Sequence, residues 1–441
     1  MGTSTPGRGW LLRLVVTFSF AQAAVSMARP AVSYRALALG ADERAIGVIT
    51  AVYALLPLLV AVPLGRRTDH GRCAPLLVVG VALIAGGCAL SGVAGSLPAM
   101  AAWSGVMGLG HLCFVIGAQS IVARRSAPDE RDRNFGHFTI GASLGQLVGP
   151  VAAGLVVSEH DGAMAPTSAT ALLVAGALAA FSYASLWRLE QQPARGATDA
   201  PGAARDRTAP AERSSVRGIL RTRGVAAGIF MSLAVLSATD ILTAYLPVVG
   251  EDRGIAPATV GLLLSLRAAA TVACRLVMTP MIRLLGRTPL MVGSCALAGL
   301  LCAGPALPAP VWALAAMLAV LGFCLGVGQP LSMTTVVQAA PDAARSTALA
   351  LRLTGNRLGQ VAAPATAGAL AGLAGTAAPF AMLGVLLLAS AAVAARPARK
   401  APGPPPPKST AGDPQRPDEP PAPPPAVRPG PACGGGTRAT R

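Results

Sequence analysis

Charged residues are scarce in this 441-residue chain. Asp, Glu, Lys and Arg together make up 12% of it, and Lys supplies only 2 of the 36 basic residues. Aromatics are scarcer still at 4%, and there are 4 His and 8 Cys. So little charge excludes an ordinary soluble domain, in which about a quarter of residues are charged. A net charge of +17 invites a nucleic-acid reading. However, the basic residues sit mainly in short connections and the tail, with no aromatic-interleaved patch, so a nucleic-acid surface is excluded too. The cysteines lack metal-ligand spacing and no disulfide framework emerges. Seven lie in or at the ends of apolar spans and Cys433 in the tail, so they are expected to act as small hydrophobes, with no metal and no cofactor. What is abundant is apolar surface: 53% of residues are hydrophobic and the mean hydropathy is +0.57. The solvent is a lipid bilayer.

The first 13 residues, MGTSTPGRGWLLR, lead into LVVTFSFAQAAVSMA, which imitates a signal peptide. The apolar pattern continues through Pro30 to about Leu39, so a retained first helix is expected. Segments long enough to cross the hydrocarbon core follow near 45–64, 74–95, 98–123, 135–158, 167–187, 224–249, 257–282, 288–307, 310–338, 346–372 and 376–395, making twelve spans. Arg66, Arg67 and Arg72 follow the second span, Arg124, Arg125, Arg131 and Arg133 the fourth, and eight Arg from Arg188 to Arg223 the sixth. The positive-inside rule then predicts both termini cytoplasmic, and the expected location is the cell (inner) membrane. Residues 191–222 are polar and interrupted by Pro and Gly, so they read as a cytoplasmic linker between halves at 1–190 and 223–395. The tail, 396–441, holds fifteen prolines and cannot build a core.

The halves are related in sequence. Arg131 to Gly154, RDRNFGHFTIGASLGQLVGPVAAG, returns 214 residues later as RSTALALRLTGNRLGQVAAPATAG, with eight of 24 positions identical, among them Gln146/Gln360 and Pro150/Pro364. Gly141, Gly145, Gly149 and Ala153 recur every four residues and line one helix face, as do Gly355, Gly359, Ala363 and Ala367. Small residues at that interval let helices approach closely in lipid, and the mid-helix Pro150 and Pro364 each free a carbonyl beside that groove.

Twelve spans in two repeats around a basic central loop resemble the major facilitator superfamily, over residues of about 10 to 395. Two motifs carry the resemblance. GRRTDHGRC, after the second span, supplies Gly65, Asp69, Gly71 and Arg72, similar to the family's conformational loop. In the fifth span, Gly136, Gly145, Gly149-Pro150 and Ala153-Gly154 resemble the antiporter signature of its drug exporters. The second-half loop has decayed to PMIRLLGR, with Gly286-Arg287 kept. In the fourth span Met107 stands where proton-coupled exporters of the superfamily carry an Arg. Read by itself, Asp69 is an acid against the basic bias of its face and suits the positive end of a neighbouring helix.

Ionisable groups inside spans complete the reading, because lipid tolerates them only beside a cavity or a partner. Asp240 is the one acid. Arg29, His111, Arg267, Arg275, Arg352 and Arg357 accompany it. Arg352 and Arg267 are expected to reach the interfaces, whereas Arg275 and Arg357, the latter beside Asn356, lie too deep. With Gln146 and Gln360 they are expected to line a substrate cavity of positive bias. Arg29 and Asp240 reach depths within about 5 Å of each other at 1.5 Å per residue. The family sets the first and seventh helices face to face, so the two are expected to form a gate and coupling pair, with His111 as a second proton carrier.

The expected fold is therefore an all-α, twelve-helix membrane bundle. The expected function is secondary transport by alternating access, as a monomer in the bilayer, rather than enzymatic. A proton-coupled exporter of a drug-like or anionic metabolite comes first, and a proton-coupled uptake carrier for an organic acid or amino-acid-like solute second. A membrane-embedded enzyme or receptor is the distant rival, since it needs a concentrated catalytic constellation.

Overall fold

The computed structural model describes residues 9–70, 74–126, 130–157, 163–190, 216–340 and 345–395. Among them the regular structure is entirely helical. The first half comprises α1 (Gly9–Ala38), α2 (Glu43–His70), α3 (Ala74–Val93), α4 (Leu97–Arg125), α5 (Arg131–Val156) and α6 (Met164–Glu190). After the short α7 (Val216–Arg221), the second half follows as α8 (Arg223–Asp252), α9 (Pro257–Leu285), α10 (Arg287–Leu301), α11 (Val311–Ala339), α12 (Arg345–Ala374) and α13 (Ala377–Ala395). The twelve long helices coincide with the twelve expected spans. Eleven are apolar enough by composition to cross a membrane, and the exception is α12, which carries Arg352, Asn356, Arg357 and Gln360. Its polarity is explained by what it faces, described below.

One difference from the sequence reading lies in the stretch read as linker. Its end is helical, because Ile219 is buried against Val225, Val336, Ala340 and Ala348. Within VRGILR, Ile219 is the residue that anchors this turn, at the apolar end of an otherwise polar stretch.

Packing repeats with the sequence. In the first half α1 packs on α5 and α6, α3 on α4 and α6, and α2 on α4. In the second, α8 packs on α12 and α13, α10 on α11 and α13, and α9 on α11. Large apolar side chains such as Leu155, Val385 and Leu276 point outward, as expected where the surrounding solvent is hydrocarbon. The small-residue face of α5 is what lets it lie against α1. A Cβ at Gly145 would stand 2.6 Å from Ala23 N, and one at Gly149 would stand 2.7 Å from Met27 N. In the second half the groove closes on side chains instead, Gly355 on Ile229 and Gly359 on Leu233. Gly136, included in the packing motif, meets nothing within 4 Å of its Cβ position. It lies one turn nearer the helix start, outside the crossing.

The halves meet by the same rule. Gly47 of α2 lies against Pro364 and Gly368 of α12, where an added Cβ would be 2.6 Å from Pro364 O and Gly368 Cα. Gly261 of α9, 214 residues after Gly47, lies against the Pro150 carbonyl and Gly154 of α5. Each mid-helix proline thus presents a carbonyl to a glycine of the opposite half, two contacts related by the sequence repeat. Tyr245 Oη donates to Glu43 O (2.9 Å) and the Arg44 guanidinium to Gly372 O (3.1 Å) at this same end.

Candidate functional site

Beneath that closed end lies a cavity of about 230 Å³ between the halves. It is polar because most of its lining helices bring a hydrogen-bonding residue. Arg29, Gln22 and Ser26 come from α1, Tyr53 from α2, His111 from α4 and Gln146 from α5. Asp240 comes from α8, Arg267, Thr271 and Arg275 from α9, Gln329 from α11, and Arg357 and Gln360 from α12. Gln146 and Arg275 are exposed within it, so it extends away from the closed end.

At its centre Arg29 Nη2 lies 2.7 Å from Asp240 Oδ1. Gln360 Nε2 donates to Asp240 Oδ2 (3.0 Å), and Arg357 Nη1 donates to Gln360 Oε1 (3.0 Å). Both carboxylate oxygens are therefore occupied. On the other side, the Arg29 guanidinium sits 5.4 Å from the Tyr53 ring centroid, within cation–π range. Tyr53 Oη lies 2.8 Å from His111 Nδ1, and His111 Nε2 lies 3.1 Å from Gln22 Oε1. Gln22 Nε2 in turn donates to Ser26 Oγ (3.3 Å). With Gln22 Oε1 as acceptor, His111 is satisfied as a neutral ring that donates from Nε2 and accepts from Tyr53. One connected polar chain thus runs from α12 through α8, α1, α2 and α4 and back to α1. Moving the halves apart at this level breaks the Arg29–Asp240 link in it.

The structure brings Arg29, Asp240, His111, Gln146, Gln360, Arg275 and Arg357 to one cavity. Asn356 is buried outside the lining residues, with its Oδ1 unpartnered. Two expectations are corrected. Arg267 does not reach an interface. It is buried and lines the cavity, because it sits about 15 Å below the start of α9, which is pinned to α11 by Thr271 Oγ1 donating to Gly322 O (2.8 Å). Arg352 does not snorkel either. Its Nη2 donates to Gln329 Oε1 (2.7 Å), Gln329 O (3.1 Å) and Ser332 Oγ (3.2 Å), neutral acceptors supplied by α11. Met107, at the position of the missing Arg, is buried beside Cys88. The six described cysteines are buried and unpaired. Gly65 and Asp69 fall in the last turns of α2, where side chains lie outside the described residues, as do Gly71 and Arg72 altogether. Gly286, which stands for Gly71 in the second-half loop, joins α9 to α10 at φ +81°, a conformation that favours glycine.

Sequence reading missed Tyr53, Gln22, Arg267 and Gln329 as cavity residues. The 214-residue offset was the signal for most of them. It pairs Gln22 with Leu236, Val25 with Thr239, Ser26 with Asp240, Arg29 with Thr243, Tyr53 with Arg267, His111 with Leu325 and Gln146 with Gln360, and every one of these lines the cavity.

The family model described as Major Facilitator Superfamily matches residues 14–256 and 230–431, and the chain belongs to that family. No curated protein matches it. Solved structures share its fold at low identity. The nucleoside transporter NupG is 14% identical with a TM-score of 0.69, covering 88% of this chain and 100% of that one. A POT family transporter in complex with 5-aminolevulinic acid is 15% identical with a TM-score of 0.70, covering 89% and 96%. A bacterial homolog of the human lysosomal transporter Spinster, inward-facing and unoccupied, is 14% identical with a TM-score of 0.63, covering 89% and 95%. The protein is a multi-pass membrane transporter of the secondary type, and its relatives in family and fold are transporters rather than enzymes.

Proposed function

We propose that this transporter moves a small organic anion by alternating access in the direction of export, with Arg29–Asp240 as the gate and Asp240 as the proton-responsive group. One observation carries the reading of the substrate. Among the described residues lining the cavity, four guanidiniums (Arg29, Arg267, Arg275, Arg357) face a single carboxylate, Asp240. In a desolvated pocket that excess favours an anion and repels a cation. The helix-5 signature supports export. Protonating Asp240 discharges the pair and eases opening at the closed end, which gives a proton a route to bias the two states.

The Arg-rich connections support cytoplasmic termini, a cytoplasmic 191–222 linker and a cell-membrane location, and the closed end is then the outer one. Reporter fusions that place the linker outside overturn this sidedness. The substrate reading is tested in proteoliposomes with ring-matched organic anions and cations. Anions should move and the Arg357→Ala variant should slow them. Vesicles that carry the cations and ignore the anions, with Arg357→Ala fully active, refute it.

A further inference from the structure

Two of the four cavity guanidiniums are already engaged, Arg29 by Asp240 and Arg357 by Gln360. The other two, Arg267 and Arg275 on α9, have neither a hydrogen-bond acceptor nor an ion-pair partner among the described residues. Arg267 is only 9% exposed and its Nε is buried with no partner. A guanidinium cannot shed its proton, so a buried one without a direct anionic contact is an incompletely satisfied cation that an anion would complete. Asp240 attracts Arg267 only through space, since its one charge is already paired with Arg29 and its second oxygen accepts from Gln360. Arg275 follows eight residues later, about 12 Å along the helix at 1.5 Å per residue, and is exposed within the same cavity. Ala268, Thr271, Val235 and Leu325 line the same cavity, an apolar wall with one hydroxyl.

Resting on the organic-anion reading above, we infer that the solute carries two anionic groups, carboxylate or phosphate, joined by an apolar body. Arg267 takes one group near the closed end, and Arg275 takes the other nearer the opening. A monoanion neutralises only one of the two cations, and the planar guanidinium fork suits oxyanions at both stations.

The test uses the purified full-length chain in detergent and follows its thermal stability against three probes sharing one ring: benzoate, terephthalate and phenyltrimethylammonium. For the wild type, terephthalate should protect at concentrations at least about tenfold lower than benzoate, as one more charge-assisted contact implies. In Arg267→Gln or Arg275→Gln that ratio should fall towards one. Arg275 is exposed, so its variant keeps the test open if Arg267→Gln does not fold. Equal protection by benzoate and terephthalate in the wild type, or an unchanged ratio in the variants, overturns the two-anion inference while leaving the organic-anion reading standing. Protection by phenyltrimethylammonium alone, or by none of the three, counts against both.

Discussion

Replacing Asp240 by Asn removes the charge of the central pair while keeping its shape. In the closed-end state the pair is short at 2.7 Å, with side-chain exposures of 21% for Arg29 and 6% for Asp240. Removing one partner of a buried pair costs about 3–5 kcal/mol because the other charge is left uncompensated. Arg29 retains a share of solvent and its contact with Tyr53, so the low end, about 3 kcal/mol, is the fair figure. Where that cost falls on the closed-end state alone, the equilibrium between states shifts by about 150-fold. The variant should then exchange solute for solute, a step that does not need the pair, but should fail to accumulate it against a gradient driven by a pH difference. The assay is paired counterflow and pH-driven uptake in proteoliposomes, alongside the melting temperature of the purified protein. Full pH-dependent accumulation by Asp240→Asn refutes the reasoning. Loss of exchange together with accumulation in a protein that melts like the wild type does so too, since the pair would then be needed for binding rather than for gating.

Gly47→Leu and Gly261→Leu insert bulk where each glycine meets a proline carbonyl of the opposite half, and they should disfavour closure by about 1–3 kcal/mol, or about 5- to 150-fold in the equilibrium. Transport should fall while membrane insertion stays normal, and the two variants should resemble each other; a wild-type rate in either one contradicts the gating role of that contact. Asp69→Asn should lower the transport rate with insertion intact, on the reading that this loop acid holds the cytoplasmic ends of the halves together when the outer end opens, and an unchanged rate counts against that role.

The bundle was legible because a bilayer allows the backbone few solutions, and the helix lengths follow from the thickness of hydrocarbon to be crossed. The meeting of Arg29 with Asp240 could be read from matching depth, which rise per residue fixes, together with the family resemblance that sets the first and seventh helices face to face. Side-chain direction was harder. Depth alone did not say which way Arg267 and Arg352 turn. That depends on acceptors and packing supplied by another helix, α11, through Gly322, Gln329 and Ser332. Tyr53 was passed over because its ring reads as core, and its role appears only when His111 Nδ1 is found beside its hydroxyl.

The repeat also separates what both halves must do from what only one does. Positions that pack or close the bundle are the same residue in each: Gly47 and Gly261, Pro150 and Pro364, Gly154 and Gly368. Most positions that face the cavity have diverged in chemistry, Gln146 and Gln360 excepted, with Ser26 answered by Asp240, Arg29 by Thr243, Tyr53 by Arg267 and His111 by Leu325. Alternating access treats the halves alike, since each must swing against the other through matching contacts, and this holds the small residues and prolines in place. A solute has no such symmetry. In the cavity proposed to bind it, an arginine-rich α9 stands on one side and a tyrosine–histidine–glutamine chain on the other, so on that proposal the diverged pairs set its identity. Exchanging members of a diverged pair outside the Arg29–Asp240 contact, Val25→Thr together with Thr239→Val, should leave closure intact while changing the rank order of anions that protect the purified protein from heat, and an unchanged order refutes the reasoning.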